Sequence, residues 1–449
     1  MEKNYAVIGH PIGHTMSPFI HTRLFSLNGM PAAYTVRDIA EQSLAAQMDE
    51  LRALNGFNIT IPHKQAILPL LDELDEKAVF YRSVNTVQNK SGKLTGFTTD
   101  GIGFCKAVET GGARLDGRTV VLGAGGAGRV MAFEAALRGG SVTVAVRPHG
   151  INAAQKLCSD IQSKVHHAQA DYCLLSEIQG GIDLLANATP VGMYPRSDAC
   201  PVAEDVIRRA SCVFDAVYNP DETLLLQTAR KNSVCTIGGI HMLVWQAAAA
   251  QEIWYGAKFQ SEDIAALCKD AVREMKKKFG NLVLCGFMGS GKTTVGNLLA
   301  QKTGRTFVDM DQYIEKKKGK RISEIFASEG EETFRALERE AARELAQKSG
   351  LVIATGGGTL LNPKNIAELK RSGVILLLDA SLNRIQERLR GDKSRPLLSG
   401  AQPMEKIRQL YRERSAQYHA AADKAVPADA PPEEVAAQIL REMESPLPN

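Results

Sequence analysis

One segment of the chain reads Thr119-Val120-Val121-Leu122-Gly123-Ala124-Gly125-Gly126-Ala127-Gly128, an apolar run followed by a glycine-rich turn. The β-branched residues favour a strand, and the alanine-rich stretch after the glycines favours a helix. Glycines at such a turn let the backbone approach a pyrophosphate at the N-terminus of the helix. The segment therefore predicts a dinucleotide-binding domain, with four cofactor-binding glycines: Gly123, Gly125, Gly126 and Gly128.

The end of the next predicted strand indicates which dinucleotide is bound. This strand covers residues 141–144 and is followed by Val146-Arg147-Pro148. NAD-binding domains usually carry Asp or Glu at this place, where it binds the ribose hydroxyls. Arg147 instead suits a 2′-phosphate, so the predicted cofactor is NADP(H), with Arg147 among the residues that bind it.

A second nucleotide motif, Gly286-Phe287-Met288-Gly289-Ser290-Gly291-Lys292-Thr293, follows a short apolar strand and matches GxxxxGK(S/T) in full. In this motif backbone N–H groups surround the phosphates, the lysine reaches the β- and γ-phosphates, and the hydroxyl binds Mg²⁺. We therefore expect ATP and Mg²⁺ in this half, with Thr293 as a metal ligand. The predicted nucleotide-binding residues are Gly289, Gly291, Lys292, Thr293 and Thr294.

Two carboxylates, Asp309 and Asp311, come directly after the next strand of the same half, at 306–308. Spacing of i, i+2 puts both on one side of an extended segment. One carboxylate can therefore serve the metal and the other the substrate.

Length and composition narrow the remaining classes of function. The 449 residues suggest about three compact units, and a net charge of +4 does not force a broad basic surface for nucleic acid. The eight cysteines contain no CxxC pair and no zinc-like spacing, as expected of reduced thiols in the cytoplasm. No signal-peptide pattern and no apolar run of about 18 residues is found, so neither secretion nor membrane insertion is expected.

Further blocks of the first half occur in a fixed order around the glycine-rich turn. They cover residues 8–18, 58–64, 83–86, 96–101, 187–193, 215–220 and 239–248. Together they resemble shikimate dehydrogenases over roughly residues 1–272. The resemblance implies reduction of 3-dehydroshikimate to shikimate with NADPH.

By this resemblance Lys64 and Asp100 are the catalytic pair, with Lys64 as the acid toward the ring carbonyl and Asp100 holding both Lys64 and a substrate hydroxyl. A positioned ammonium group can donate a proton to a developing alkoxide. Two positions depart from the family pattern: Thr15 stands where Ser is common, and residues 146–148 stand where Asn-Arg-Thr is common. The resemblance also implies substrate-binding residues Thr15, Ser17, Thr60, Asn85, Tyr218 and Gln246, and cofactor-binding residues Gly239 and Met242.

The C-terminal half resembles shikimate kinases over roughly residues 281–445. The resemblance rests on Phe334-Arg335 with Glu338, the Gly356-Gly357-Gly358 loop, Arg395-Pro396-Leu397-Leu398 and the segment 410–414. One departure is Ser415-Ala416-Gln417, where family members often carry a proline after the arginine.

The kinase resemblance assigns roles to several side chains. Asp311 binds substrate hydroxyls beside the transferred phosphoryl group, and Asp309 lies by the Mg²⁺. The implied catalytic residues are Lys292, Asp311 and Arg395, with Arg395 on a lid over the γ-phosphoryl group; Arg388 stacks on adenine and, like Arg395, belongs to the nucleotide site. The implied substrate-binding residues are Asp311, Gly357 and the carboxylate clamp Arg335 and Arg414, for which two guanidinium forks are apt.

Alternating strand and helix patterns predict an α/β fold with parallel sheets. The two resemblances imply that a two-domain dehydrogenase precedes a P-loop kinase. A helix from about Glu262 to Lys278, stopped by Gly280, favours a boundary between the halves. The predicted domains are 1–272, divided into a substrate domain (1–105 and 240–272) and a Rossmann NADP-binding domain (106–239), then a linker (273–280) and a kinase domain (281–449).

The predicted function is therefore a bifunctional enzyme that makes shikimate and phosphorylates it to shikimate 3-phosphate. The expected partners are these small acids, with no nucleic acid and no membrane, and a homodimer is left open. One alternative is a dehydrogenase that oxidises quinate or shikimate with NAD. Another is a kinase-like half that is regulatory or acts on another small acid such as gluconate.

Overall fold

The structure is a computed structural model, and it describes residues 3–13, 15–194, 196–390 and 403–444. It divides into two compact units, Met1–Arg273 and Glu274–Asn449. Within the described residues, none of the helices combines the length and the apolar character needed to cross a membrane.

The first lobe of unit 1 is built on a six-stranded sheet with the order β2-β1-β3-β5-β6-β4. β5 and β6 pair antiparallel across a two-residue turn at Ser91 and Gly92, both with positive φ. A turn of this kind joins neighbouring antiparallel strands, so this sheet is mixed rather than purely parallel. Its elements are β1 (Lys3–Gly9), α1 (Ser17–Leu27), β2 (Ala32–Asp38), α2 (Met48–Arg52), β3 (Gly56–Ile59), α3 (His63–Ala66), β4 (Glu73–Leu74), α4 (Glu76–Tyr81), β5 (Thr86–Lys90) and β6 (Lys93–Phe97).

The second lobe of unit 1 contains an all-parallel sheet with the order β12-β11-β10-β7-β8-β9. Its elements are α5 (Asp100–Thr110), β7 (Arg118–Leu122), α6 (Gly126–Leu137), β8 (Ser141–Val146), α7 (Ile151–Lys164), β9 (Ala170–Leu174), β10 (Ile182–Asn187), α8 (Glu204–Arg208), β11 (Ala210–Asp215), α9 (Leu224–Lys231), β12 (Cys235–Ile237) and α10 (Gly239–Tyr255). α10 packs against α5 and against α1 of the first lobe. The polypeptide therefore crosses between the lobes at α5 and returns at α10.

The next helix, α11 (Ser261–Phe279), ends before Gly280. Its acidic first turn and its three lysines in the last turn both suit the helix dipole. The boundary between the two units falls within this helix. Most of the segment predicted as a linker, residues 273–280, is therefore helical.

Unit 2 contains a five-stranded parallel sheet with the order β14-β15-β13-β16-β17. All residues of β13 are buried, as expected for a central strand covered by helices on both faces. Its elements are β13 (Asn281–Cys285), α12 (Lys292–Thr303), β14 (Thr306–Asp309), α13 (Met310–Lys318), α14 (Ile322–Ala346), β15 (Leu351–Ala354), α15 (Pro363–Ser372), β16 (Gly373–Asp379), α16 (Leu382–Leu389), α17 (Pro403–Ala421), β17 (Lys424–Pro427) and α18 (Pro432–Glu444). The predicted α/β class is confirmed, with the mixed first sheet as the one departure from parallel pairing.

Candidate active sites

Lys64 and Asp100 lie together in the first unit. The Lys64 ammonium donates to Asp100 Oδ2 at 2.6 Å, and the two side chains are 29% and 11% exposed. Lys64 is on α3 and Asp100 begins α5, so the polypeptide brings them together across 36 positions. A half-buried ammonium held by a carboxylate can deliver a proton at a fixed point.

Asn85 connects Asp100 with the helix that returns from the second lobe. Its side-chain amide donates to Asp100 Oδ1 and to Gln246 Oε1, both at 2.8 Å, and lies 3.0 Å from Thr99 Oγ1. Its Oδ1 accepts from the Thr99 backbone N–H at 2.8 Å. Three of the predicted site residues, Asp100, Asn85 and Gln246, therefore form one hydrogen-bonded group.

Ser17 begins α1, and its backbone N–H donates to Thr15 Oγ1 at 3.1 Å. The Thr15 hydroxyl, where the family commonly has Ser, therefore orients the start of this helix.

Tyr34 was missed by sequence reasoning. Its hydroxyl donates to Asn58 Oδ1 at 2.7 Å, and burial raises its pKa well above the usual value against a smaller effect of a hydrogen bond with Ser17. Asn58 in turn donates to the Asn85 carbonyl at 3.2 Å.

The other two predicted substrate residues lie at the ends of strands. Thr60 directly follows β3, and its backbone N–H donates to the Ile8 carbonyl at 2.9 Å. Tyr218 follows β11, and burial raises its pKa. Asp215, the last residue of β11, is fully buried and accepts hydrogen bonds from Asn187 at 2.9 Å and from Thr223 at 2.6 Å. Burial raises the pKa of Asp215 to about 6.

The glycine-rich turn meets the requirements of a pyrophosphate site. Gly123 has a φ of +100°, and a Cβ on Gly128 would lie 2.1 Å from the Gly123 carbonyl oxygen. At Gly125 and Gly126 a Cβ would meet nothing within 4 Å, so the backbone at the start of α6 is open to a ligand. These features fit NADP(H), with phosphates at the N-terminus of the helix.

Three further predicted cofactor residues are distributed around this lobe. Arg147 is exposed directly after β8, at the end of the strand next to β7. Gly239 begins α10, where a Cβ would lie 2.5 Å from the Ala216 carbonyl oxygen. Met242 lies on the first turn of α10, and its carbonyl oxygen would be 2.6 Å from a Cβ on Gly103 of α5.

The P-loop of unit 2 runs from β13 to α12. Gly286, Gly289 and Gly291 all have positive φ, which glycine adopts readily. The Lys292 ammonium donates to the carbonyl oxygens of Gly286 and Phe287 at 2.8 and 3.1 Å. The lysine therefore lies folded over the loop whose phosphate site it is predicted to serve.

Thr293 and Asp309 form the predicted Mg²⁺ site. The Thr293 hydroxyl donates to Asp309 Oδ2 at 3.2 Å, and Asp309 Oδ1 accepts from the backbone N–H groups at the start of α13. No group of three or more His, Cys, Asp or Glu residues suited to a metal is found in the part of the chain that the structure describes. Mg²⁺ usually keeps water and phosphate oxygens beside one or two protein ligands, so a hydroxyl and a carboxylate fit this ion. Thr294 is the exposed next residue of α12.

Asp311 lies where several charged groups of unit 2 meet. Burial, and then the like charges of Asp309 and Glu338, raise its pKa to about 6, against the opposing charge of Lys292. Its Oδ1 would be 2.6 Å from a Cβ on Gly356. A carboxylate of raised pKa is suited to accept a proton from a hydroxyl near neutral pH.

Arg335 is held against the glycine triplet. Its guanidinium donates to Glu338 at 2.5 Å and to Glu331 at 2.9 Å. A Cβ on Gly358 would lie only 2.3 Å from this guanidinium, so any side chain there would displace it. Glu338 was quoted only as part of the motif, yet it is 2% exposed and also accepts from the Thr359 hydroxyl at 2.8 Å.

Arg414 and Arg388 both contact backbone carbonyls of predicted ligand loops. Arg414 and the Tyr418 hydroxyl donate to the Gly357 carbonyl oxygen at 3.3 and 2.5 Å. Arg388 donates to the P-loop carbonyls of Gly289 and Ser290, both at 3.2 Å, and to the Ala428 carbonyl at 3.0 Å. Arg395 lies outside the described residues, so its predicted place on a lid stays a prediction.

Comparisons with known proteins cover both units. The family model "Shikimate dehydrogenase substrate binding domain" matches residues 7–87, and the model "Shikimate kinase" matches residues 288–444. A shikimate dehydrogenase (NADP(+)) from Caldanaerobacter subterraneus subsp. tengcongensis is 38% identical over 265 residues, which are 58% of this chain and 94% of that protein. A shikimate dehydrogenase (NADP(+)) from Methanocaldococcus jannaschii is 37% identical over 263 residues, 57% of this chain and 92% of that protein. Among solved structures, a shikimate 5-dehydrogenase from Thermus thermophilus in complex with NADP(H) and shikimate has a TM-score of 0.55 at 32% identity, covering 60% of this chain and 99% of that one.

Proposed function

Because the chain belongs to the shikimate dehydrogenase family and carries a shikimate kinase domain as its second unit, we propose that it catalyses two consecutive reactions. The first reduces 3-dehydroshikimate to shikimate with NADPH. The second transfers the γ-phosphoryl group of ATP to a shikimate hydroxyl and gives shikimate 3-phosphate. We assign the NADP-binding domain to residues 106–239, the substrate domain of the first unit to 1–105 and 240–272, and the kinase domain to 281–449.

One observation carries the first reaction: the Lys64 ammonium lies 2.6 Å from Asp100, which Asn85 fixes from the other side at 2.8 Å. NADPH, when bound, supplies a hydride to the carbonyl carbon. Lys64 Nζ then gives its proton to the carbonyl oxygen, which becomes the new hydroxyl. Asp100 keeps the ammonium in place and accepts a hydrogen bond from a neighbouring hydroxyl of the ring.

The second reaction is supported by Asp311, whose carboxylate is affected by the charges of Lys292 from the P-loop and of Glu338, the partner of Arg335. Asp311, whose pKa is raised to about 6 by burial and then by Asp309 and Glu338, accepts the proton of the attacking hydroxyl at its carboxylate. Arg335 and Arg414 bind the ring carboxylate, and Lys292 neutralises phosphate charge. ATP with Mg²⁺, when bound, supplies the phosphoryl group, and Thr293 and Asp309 hold the ion.

The proposal also includes a cellular location, the partners and an oligomeric state. All eight cysteines are free thiols, which supports a cytoplasmic location. The partners are the small acids themselves. A homodimer is retained as a proposal that analytical ultracentrifugation of the full chain would test.

A coupled assay tests the proposal directly. The full-length protein is given 3-dehydroshikimate, NADPH, ATP and Mg²⁺, while absorbance at the nicotinamide band and phosphorylated product are followed together. We expect NADPH consumption and shikimate 3-phosphate. Loss of NADPH with accumulation of unphosphorylated shikimate would contradict the kinase assignment, and equal or faster turnover with NADH would contradict the NADP assignment.

A further inference from the structure

A buried carboxylate, Glu134, lies between the two lobes of unit 1. It is on α6, the helix that begins at the glycine-rich turn, and it is 1% exposed. Its Oε1 accepts from the Tyr81 hydroxyl at 2.6 Å and from the Lys77 ammonium at 2.9 Å. Its Oε2 accepts from Arg138 at 2.5 Å and from the Cys105 thiol at 3.4 Å.

The donors of this group come from two other helices and from the residue that follows α6. Lys77 and Tyr81 are on α4 of the first lobe, Cys105 is on α5, and Arg138 directly follows α6. Burial alone would raise the pKa of Glu134, but the hydrogen bonds from Tyr81 and Lys77 outweigh it and lower the pKa. This buried charge is costly to disturb, because removing it leaves the buried Tyr81 hydroxyl and Cys105 thiol without their acceptor.

Glu134 also touches the helix that carries Asp100. A Cβ on Gly101, the residue after Asp100, would lie 2.4 Å from Glu134 Oε1. The carboxylate therefore packs directly against the first turn of α5. Asp100 is fixed on its other side by Lys64 and Asn85, so the position of its backbone relative to α6 depends on this contact.

We propose that Glu134 is a positioning residue for the reduction, because its carboxylate fixes the start of α5, and with it Asp100, relative to the helix that binds the dinucleotide. This inference rests on the proposed dehydrogenase function and goes beyond it. Glu134 is only 1% exposed, so it acts through α5 rather than by touching a ligand. It sets the distance between the Lys64–Asp100 pair and the nicotinamide, and displacements of about 1 Å can lower turnover about a hundredfold.

The test compares Glu134→Gln with the wild-type protein. The substitution keeps the size of the side chain and removes its charge, so one of the two pairs of donors then faces an amide nitrogen that also donates. We expect kcat for 3-dehydroshikimate reduction to fall about tenfold or more, while the Kd for NADPH stays within about twofold. Glu109→Gln is the matched control, because Glu109 is an exposed carboxylate of α5 paired with Lys106 at 3.5 Å, and it should leave kcat unchanged.

A second variant keeps the test decisive if Glu134→Gln does not fold. Tyr81→Phe removes one donor and no charge, and we expect a loss in kcat of about threefold with NADPH binding retained. Wild-type kcat in a folded Glu134→Gln protein, or in Tyr81→Phe when the first variant does not fold, would overturn the inference. A parallel loss of NADPH binding and kcat would also overturn it, since that outcome means a purely structural role. Absence of turnover by the wild-type protein would overturn the proposed function and this inference with it.

Discussion

The two lysines predicted to act in catalysis are held in opposite ways. Lys64 of the first unit is bound to a carboxylate, at 2.6 Å from Asp100. Lys292 of the second unit donates to two carbonyl oxygens of its own loop, at 2.8 and 3.1 Å. The first ammonium donates to a carboxylate oxygen, whereas these two hydrogen bonds of the second go to neutral carbonyl oxygens, with the charge of Asp311 nearby.

Two of the predicted ligand-binding arginines of unit 2 are held in the same way as Lys292, whereas Arg335 is paired with Glu338 and Glu331. Arg414 and Arg388 donate to backbone carbonyls of the loops at Gly357 and Gly289. Charge-assisted hydrogen bonds to carboxylate or phosphate are about twice as strong as those to neutral acceptors. The difference teaches that the proposed proton donor of the first site is held by a carboxylate, whereas several cations proposed to bind ligands in the second site donate to neutral carbonyl oxygens.

Removing Lys64 from the charge pair of the first unit should have the largest effect on turnover. Lys64→Ala should lower kcat for 3-dehydroshikimate reduction by about 10²–10⁴-fold, because the proton donor at the carbonyl oxygen is lost. NADPH oxidation followed by absorbance measures this, with phosphorylation of added shikimate as the internal reference. Lys93→Ala, at an exposed lysine paired with Glu73, is the control. A loss of less than about tenfold would mean that another group delivers the proton.

Removing the loop-bound lysine should have the next largest effect, and on the other reaction only. Lys292→Ala should reduce shikimate phosphorylation by about 10²–10³-fold, because a preorganised donor to the phosphoryl group disappears. The rate of 3-dehydroshikimate reduction should be unchanged. Lys302→Ala, at an exposed position of the same helix, should retain full kinase activity. Normal phosphorylation by the Lys292 variant would remove the contrast between the two lysines.

Arg147 tests whether the first unit also recognises negative charge on its dinucleotide. Arg147→Ala should lower kcat/KM for NADPH by about tenfold and leave that for NADH unchanged, since one charged hydrogen-bond donor to the 2′-phosphate is lost. Steady-state kinetics with both cofactors measure the ratio. Arg114→Ala, at an exposed arginine paired with Asp116, should not alter it. An unchanged ratio in the Arg147 variant would favour the NAD-linked alternative.

The pH dependence of the kinase reaction should show the smallest effect. Burial, followed by Asp309 and Glu338, raises the pKa of Asp311 to about 6. Because the ionised carboxylate is needed to accept the hydroxyl proton, kcat/KM for shikimate should fall as the pH drops through about 6. Glu338→Gln removes one like charge, so the midpoint should move to lower pH. Glu344→Gln on the same helix should leave it in place, and a wild-type midpoint near 4 would contradict the role of Asp311.

Local patterns were sufficient for the nucleotide turns and for the fold class. The turns at Gly123–Gly128 and Gly286–Gly291 need only a strand, glycines and a helix in succession, and the α/β fold is confirmed. The fusion of dehydrogenase and kinase is confirmed by relatives and family models that match separate parts of the chain. The roles of Lys64, Asp100 and the other site residues remain predictions, although the structure brings Lys64, Asp100, Asn85 and Gln246 together.

Long-range pairing is what the sequence could not reveal. Glu134 stands in an alanine-rich helix and looks like an ordinary surface residue, yet its donors Tyr81 and Lys77 lie 53 and 57 positions away. Tyr34 reaches Asn58 in the same way, between two strands that both neighbour β1. Burial of such groups depends on which helices and strands meet, and periodicity within one element carries no information about that.

The hydrogen bonds of Asn85 give the first site a fixed polarity. Asn85 Nδ2 lies within hydrogen-bond distance of Asp100 Oδ1, Gln246 Oε1 and Thr99 Oγ1, so the Gln246 oxygen already has a donor beside it. The amide nitrogen of Gln246 therefore remains the donor that this side chain can offer to a ligand. In the proposed site, Gln246 Nε2 offers a hydrogen bond to a ring hydroxyl, whereas the Asp100 carboxylate accepts one from a ring hydroxyl. The two side chains thus present opposite hydrogen-bonding groups to the ligand that we propose for this site.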